Sequence, residues 1–261
     1  WAGGMRGTTI ISNYVAGNWG GPNNSQYGII CTAGAQYSLI LSNYVHGVEV
    51  GIQVTGDPSS IVANNILTNL YSVGIKASAQ TGKTYILSNT IYRIRWAGGL
   101  GGIQLYPDVY NCYVYSNSLI DINARGIFLD CTVASSPTNN TIISNYISGS
   151  TVSNLSISGR SNYVLYNTIV NTPLNNIIIY SNSGTSNIGG ILVKNNIMSN
   201  ITSASGSFVC DYSMASGSMA NVIDINTFIN PLGRTNLVIS NSSAPVIGTN
   251  YYGSRDYKNT W

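Results

Sequence analysis

Charged side chains are so scarce in this sequence that the ones able to do chemistry can be weighed one at a time. The 261 residues include 11 Lys and Arg, 8 Asp and Glu and one His, 7% charged against about 25% in an ordinary soluble domain. One set falls at similar places in three successive stretches: Asp108 six residues after Gly102, Asp130 four after Gly126, and Arg160 six after Asn154. Arg93, Arg95, Trp96, Tyr106, Tyr110, Tyr113, Tyr115 and Arg125 lie nearby in the chain. A sugar-cleaving cleft uses such a set: one carboxylate as acid, one as base or nucleophile, with arginines and aromatic platforms beside them. Trp96, Tyr106 and Tyr110 are the candidate platforms. The competing reading is an ion ladder along one face, with Tyr as ordinary strand surface. No stretch offers three closely spaced acidic ligands, and no Cys-x-x-Cys or Cys-x-x-His occurs. Neither a metal nor any other cofactor is therefore expected. His46 follows Val45 at a turn and reads as a surface residue.

The elements that must hold these groups follow from composition and pattern. A net charge of +3 over this length makes no phosphate-tracking surface, so no nucleic-acid partner is expected. Hydrophobic content of 44% is too high for a disordered chain. Apolar runs such as Ile177-Ile178-Ile179 fall far short of a membrane span. There are 33 Asn, 28 Gly and 19 Tyr, and no richness in the strong helix formers. The reading is strand.

Internal repetition then gives the architecture. A row of the form apolar-x-x-Asn-x-apolar recurs ten times, from Ile10, Asn13, Val15 to Ile247, Asn250, Tyr252. In between, the spacing makes Asn43, Asn64, Asn89, Asn117, Asn145, Asn167 and Asn195 a structural ladder, with Asn226 following. A second row, small-apolar-x-apolar, begins at Gly28, Gly51, Gly74, Gly102, Gly126, Asn154, Asn176, Ser207 and Asn236. Apolar residues two apart mark strands with one buried face. The leading Gly or Asn suggests left-handed backbone at a corner. The middle, outward positions of this row are Ile30, Gln53, Lys76, Gln104, Phe128, Ser156, Ile178, Val209 and Val238. Five of these nine are apolar, so loops or another molecule should cover them. The pattern predicts one all-β domain over residues 1–261, a β-solenoid of about nine to ten coils stacked about 4.8 Å apart. The stacked Asn side chains would bond one another and the turn backbone.

The repeat resembles the right-handed parallel β-helix, or pectin-lyase-like, families, in particular the repeat β-helices of carbohydrate-binding and sugar-hydrolysing surface proteins. The ending Gly248-Thr249-Asn250-Tyr251-Tyr252-Gly253-Ser254-Arg255-Asp256-Tyr257 is similar to their Gly-Asn-Tyr-Trp-Ser-Asp-Tyr terminus, with Tyr252 in place of Trp and looser spacing. The resemblance implies a single-stranded right-handed parallel β-helix. It is nearly silent on activity, because that fold hosts lyases, hydrolases, adhesins and inert fibres.

A cell-surface or extracellular setting is expected. The chain opens at Trp1 without an initiator Met, and Asn-x-Ser/Thr sequons begin at Asn23, Asn139, Asn154, Asn200 and Asn241. Cys31 and Cys210 read as small apolar filler, and a disulfide between Cys112 and Cys131 is an open alternative. No amphipathic helix is foreseen at either end, which points to head-to-tail self-association or to a piece of a longer protein. The function expected is an extracellular structural solenoid without catalysis. The alternatives are a polysaccharide lyase or hydrolase using Asp108, Asp130 and Arg160, and a carbohydrate-binding module using Tyr stacks.

Overall fold

A computed structural model describes residues 2–3, 6–18, 26–32, 36–56, 59–78, 83–96, 100–130, 135–180, 189–202, 206–212, 220–229, 237–239 and 246–253. These form ten coils of three short strands, and each strand pairs in parallel with its counterpart in the next coil to build three ten-stranded sheets. Coil five is representative. Gly101–Leu105 lies in the first sheet, Tyr113–Tyr115 in the second and Ser118–Ile122 in the third. Inward residues stack in columns, as Ile52, Ile75, Ile103, Ile127, Leu155 and Ile177 do, all fully buried. Alternation sends every second residue out, so three to six residues suffice for each side of the coil.

The corner between the second and third sheets is two residues long. Its first residue is left-handed: Ser12, Ser42, Asn64, Ser88, Ser116, Ser144, Tyr166, Asn195 and Ile225 have φ between 50° and 59°. Its second residue is the ladder Asn. Asn117 donates its backbone N–H and its Nδ2 to Asn145 Oδ1 at 2.9 and 3.0 Å, and Nδ2 also to Ile86 O at 2.9 Å. Its own Oδ1 accepts both donors of Asn89. The amide suits this place because it offers donor and acceptor together, and the ladder runs from Asn13 to Asn250.

Two rungs differ from the sequence reading. The ladder passes through Asn65 and Asn196, not Asn64 and Asn195. Each is the second member of an Asn-Asn pair, and either member satisfies the spacing. Burial decides, because a one-residue slip turns every side chain over. Val62 and Leu67 are fully buried while Ile66 is 45% exposed, and Val193 and Met198 are buried while Ile197 is 44% exposed. The displaced Asn64 and Asn195 serve as the left-handed corner residues, which Asn tolerates. A similar slip occurs in coil nine, where Val209 pairs with inward Ile177 and is buried, and Cys210 pairs with outward Ile178.

The glycines that open the first-sheet strands have a different reason from the expected one. Gly28, Gly51, Gly74, Gly102 and Gly126 are not left-handed. A Cβ on Gly102 would lie 2.5 Å from Leu119 Cδ2 and 2.8 Å from Gly126 O, so the stack leaves no room for one. In coils seven and eight Asn154 and Asn176 take over this column and bond each other at 3.0 Å. A second short ladder, Cys112, Asn140 and Asn162, lines the entry to the second sheet.

Candidate functional site

The residues singled out from the sequence do not converge. Leu105 pairs with Leu129 and Asp130 N donates to Leu105 O, so Asp130 sits in register with Tyr106 rather than with Asp108. Asp108 lies two residues beyond Tyr106, exposed in the tight Tyr106–Val109 turn with φ 72°. Arg160 pairs with Thr138, and Thr138 with Tyr110, which places Arg160 in the column of Tyr110, two coils from it. Trp96 precedes the strand Gly101–Leu105 whereas Tyr106 and Tyr110 follow it, so about 17 Å of extended chain separates the platforms. The ion ladder does occur, but elsewhere: Arg93 meets Asp121 and Lys194 meets Asp224, each pair at 3.3 Å between neighbouring coils.

The outward column of the first sheet is covered by its own side chains. Lys76 Nζ lies 4.8 Å from the Tyr106 ring centroid, Arg125 lies 4.5 Å over Phe128, and Tyr180 donates its hydroxyl across the face to Leu129 O at 3.0 Å. Phe128 is 5% exposed and Gln104 fully buried, which accounts for the apolar Phe128 among the outward positions read from the sequence. Both amide atoms of Gln104 lack a hydrogen-bond partner among the described residues. Burial lowers the pKa of Lys76 and nearby Glu49 partly restores it.

Functional groups gather instead at the corner where the third sheet hands over to the first. A second left-handed column runs there through Gly47, Asn69, Arg93, Asp121, Gly149, Asn171 and Asn200. Its residues point out of the coil. Gly17 and Gly47 carry no side chain where the next coils carry Asn69 and Arg93, and this leaves a hollow of about 140 Å³ lined by Gly17, Asn18, His46, Gly47, Asn69, Tyr71 and Arg95. Arg93 and Arg95 both donate to Asn69 Oδ1, at 3.3 and 3.2 Å. That fixes the Asn69 amide, so Nδ2 donates to His46 Nδ1 at 3.4 Å, and Thr68 Oγ1 lies 3.1 Å from the same nitrogen. His46 therefore has its proton on Nε2 when neutral. Tyr71 stacks on Trp96 with ring centroids 5.4 Å apart and planes 4° from parallel, and Trp96 is 43% exposed.

The sequence had flagged Trp96, Arg93 and Arg95 but attached them to Asp108 and Asp130; it read His46 as a surface residue and passed over Asn69 and Tyr71. The signal that would have joined them is the register of the second left-handed column, which no single-coil motif contains.

The sequence model of the family described as right handed beta helix region matches residues 2–169. This chain belongs to that family. No curated protein sequence matches it. Among solved structures, this β-helix is similar to the tailspike protein of E. coli bacteriophage HK620 in complex with a pentasaccharide, at 14% identity over 94% of this chain and 49% of that one, TM-score 0.68. It is similar as well to the A-module of the Azotobacter vinelandii mannuronan C-5 epimerase AlgE6, at 11% identity over 97% and 76% of the two chains, TM-score 0.71. The DFA-IIIase from Arthrobacter chlorophenolicus A6 in complex with GF2 matches at 16% identity over 76% and 50%, TM-score 0.59. The chain thus spans about half the length of the tailspike chains it matches. At these identities the likeness is one of fold.

On this β-helix the hollow can supply hydrogen-bond donors beside a flat apolar platform. Among the described residues no group of three His, Cys, Asp or Glu is placed to hold a metal ion. Of the sequons, Asn139 and Asn200 are exposed. Asn154 is fully buried in its ladder and is corrected from a glycosylation site to a structural residue. Asn23 and Asn241 lie outside the described residues, as does Cys131. Cys112 is a free buried thiol whose pKa burial pushes up to about 12, and Cys31 is also buried.

Proposed function

We propose that this β-helix is an extracellular glycan-binding protein that holds its ligand across the Tyr71–Trp96 platform and the adjoining hollow, without cleaving it. The carrying observation is the parallel Tyr71–Trp96 pair, half-open to solvent, beside a cluster of amide, imidazole and guanidinium groups. Ligand sites combine an apolar wall with a few convergent polar groups in this way, and Trp and Tyr provide large, rigid contact area at low entropic cost. Further rings stack from coil to coil, the exposed Tyr14 on Tyr44 at 5.3 Å in the third sheet and the half-buried Tyr85 on Tyr113 at 5.4 Å in the second, and offer more apolar surface to a glycan. The pentasaccharide-bound tailspike supports the same reading by analogy of fold. Exposed sequons at Asn139 and Asn200 support secretion and glycosylation there. Titrating the purified protein with a panel of oligosaccharides while following Trp fluorescence tests this reading. Saturable quenching that Trp96→Ala abolishes is expected, and no saturable binding of any glycan would overturn it.

A cleaving enzyme is the second reading. Asp108 follows Tyr106 by two residues and Asp130 stands level with Tyr106 in the next coil, so this reading needs the two carboxylates to act across that offset. Glycan cleavage by the wild type that Asp108→Asn removes would establish it. End-to-end association is a separate question: the strands Ala2–Gly3, Thr9–Ile11 and Tyr14–Ala16 each have one edge unpaired in these sheets. A second copy or further coils would complete them equally well, and electron microscopy at high protein concentration distinguishes filaments from single particles.

A further inference from the structure

We infer that the hollow between coils one and four is a carboxylate-recognising subsite, and that the glycan it takes is an acidic one. This inference rests on the glycan-binding reading and names the ligand class for the same site.

The lining is rich in hydrogen-bond donors and carries no carboxylate. Arg95 brings a guanidinium, His46 an imidazole and Asn18 an exposed side-chain amide, while Asn69 Oδ1 is already taken by two arginines. No Asp or Glu lines the hollow. Asp121 in the same corner is engaged with Arg93, and Glu49 acts on Lys76 on the first-sheet side. Arg95 makes no ion pair among the described residues. A guanidinium with spare forked donors matches a carboxylate in geometry and charge. The floor is backbone. A Cβ on Gly47 would lie 2.5 Å from Gly17 O, so this floor stays bare of a side chain. Its 140 Å³ corresponds to about four or five waters at roughly 30 Å³ each. That is room for a carboxylate and the edge of the ring bearing it, and too little for an oligosaccharide. The rest of the sugar would lie outside, where Tyr71 and Trp96 stand.

The test compares an oligogalacturonate with the same oligosaccharide after reduction of its carboxylates to alcohols, by calorimetric titration of the full chain. The acidic form should bind about tenfold or more tightly, as expected for a charge-assisted contact. Arg95→Gln should weaken the acidic form about tenfold and so erase that difference, with a smaller effect on the neutral form, Arg95→Lys should restore part of it, and Trp96→Ala should weaken both forms. Thermal melts of each variant establish that the exposed substitutions leave the fold intact. Equal affinity for the two forms, or a preference that survives Arg95→Gln, overturns the inference while Trp96-dependent binding keeps the broader reading. Failure of both forms to bind, with a wider glycan panel also silent, overturns both. Inorganic phosphate and acetate are run as competitors. If either binds with the Arg95 dependence and the oligogalacturonate does no better than acetate, the hollow holds a bare anion and the acidic-glycan assignment falls.

Discussion

Two corners bracket the third sheet, and both turn the chain with a left-handed residue, yet they have opposite characters. At the entry corner the residue after the turn points inward, and it is Asn in coil after coil, each bonded to the one above and the one below. At the exit corner the left-handed residue itself points outward, and it changes from Gly47 to Asn69 to Arg93 to Asp121. Inside, burial leaves one chemistry that satisfies every polar group. Outside, water satisfies whatever is there, so the sequence is free to vary. A hollow with Arg95, His46 and Asn69 on its rim arises where that variation skips a side chain. Repetition builds the rod; the break in repetition makes the site.

The sharpest way to break this comparison is to remove one rung. Asn117→Ala leaves the backbone N–H of Asn89 and the carbonyl of Ile86 without their partners. The expected loss is about 4 kcal/mol, at about 1–3 kcal/mol for each unsatisfied buried group. Urea unfolding followed by circular dichroism measures it. Asn13→Ala, on the exposed rung, should cost only about 1 kcal/mol, as should Asn171→Ala at the exit corner, where Asn171 bonds Ser148 and Asn200. Equal losses at Asn117 and Asn171 would contradict the contrast between the corners.

A smaller effect is expected on the covered first-sheet face. Gln104→Leu removes two buried atoms that have no partner among the described residues, and it should stabilise the protein by about 1–2 kcal/mol in the same urea assay. A loss of stability there would show that the Gln104 amide is satisfied in solution.

The next effect vanishes at neutral pH. The Cys112 thiol has an ordinary value of 9.0 when unfolded and is held up to about 12 by burial. Above pH 9 the unfolded state therefore loses its proton first, and stability falls progressively between pH 9 and about 12. Cys112→Ala should flatten that part of the pH–stability curve. Iodoacetamide should leave Cys112 unmodified in the native protein at pH 8 and alkylate it after unfolding, read by peptide mass spectrometry.

Smallest of all, Ile225 occupies the entry corner with φ 50°, a backbone state that suits Asn far better than a β-branched residue. Ile225→Asn should stabilise coil nine by about 1 kcal/mol, seen as a higher urea midpoint.

Much of the fold was readable from one chain. Ten Asn-centred motifs at regular intervals could only stack, and the low charge fits a stack in which each residue stands above its own kind. The Asn-Asn pairs show where reading stopped. Asn64 and Asn65 satisfy the motif alike, and only the burial of Val62 and Leu67 selects between them. The glycine row was found for the wrong reason, since its cause is the carbonyl of the coil below, which lies about 25 residues away in sequence. The second row of corners was hidden because its left-handed residues, Gly47, Asn69, Arg93 and Asp121 among them, share no type.

The sequence by itself determined the repeat, the inward apolar columns and the need for a donor–acceptor side chain at one corner, because those demands recur in every coil and therefore leave a period. Tertiary structure alone decided which outward groups meet. Coil lengths differ, so residues equally spaced from their own motifs arrive at different heights and columns. Asp108, Asp130 and Arg160 were separated in this way, and His46, Asn69, Tyr71, Arg95 and Trp96 were brought together across three coils.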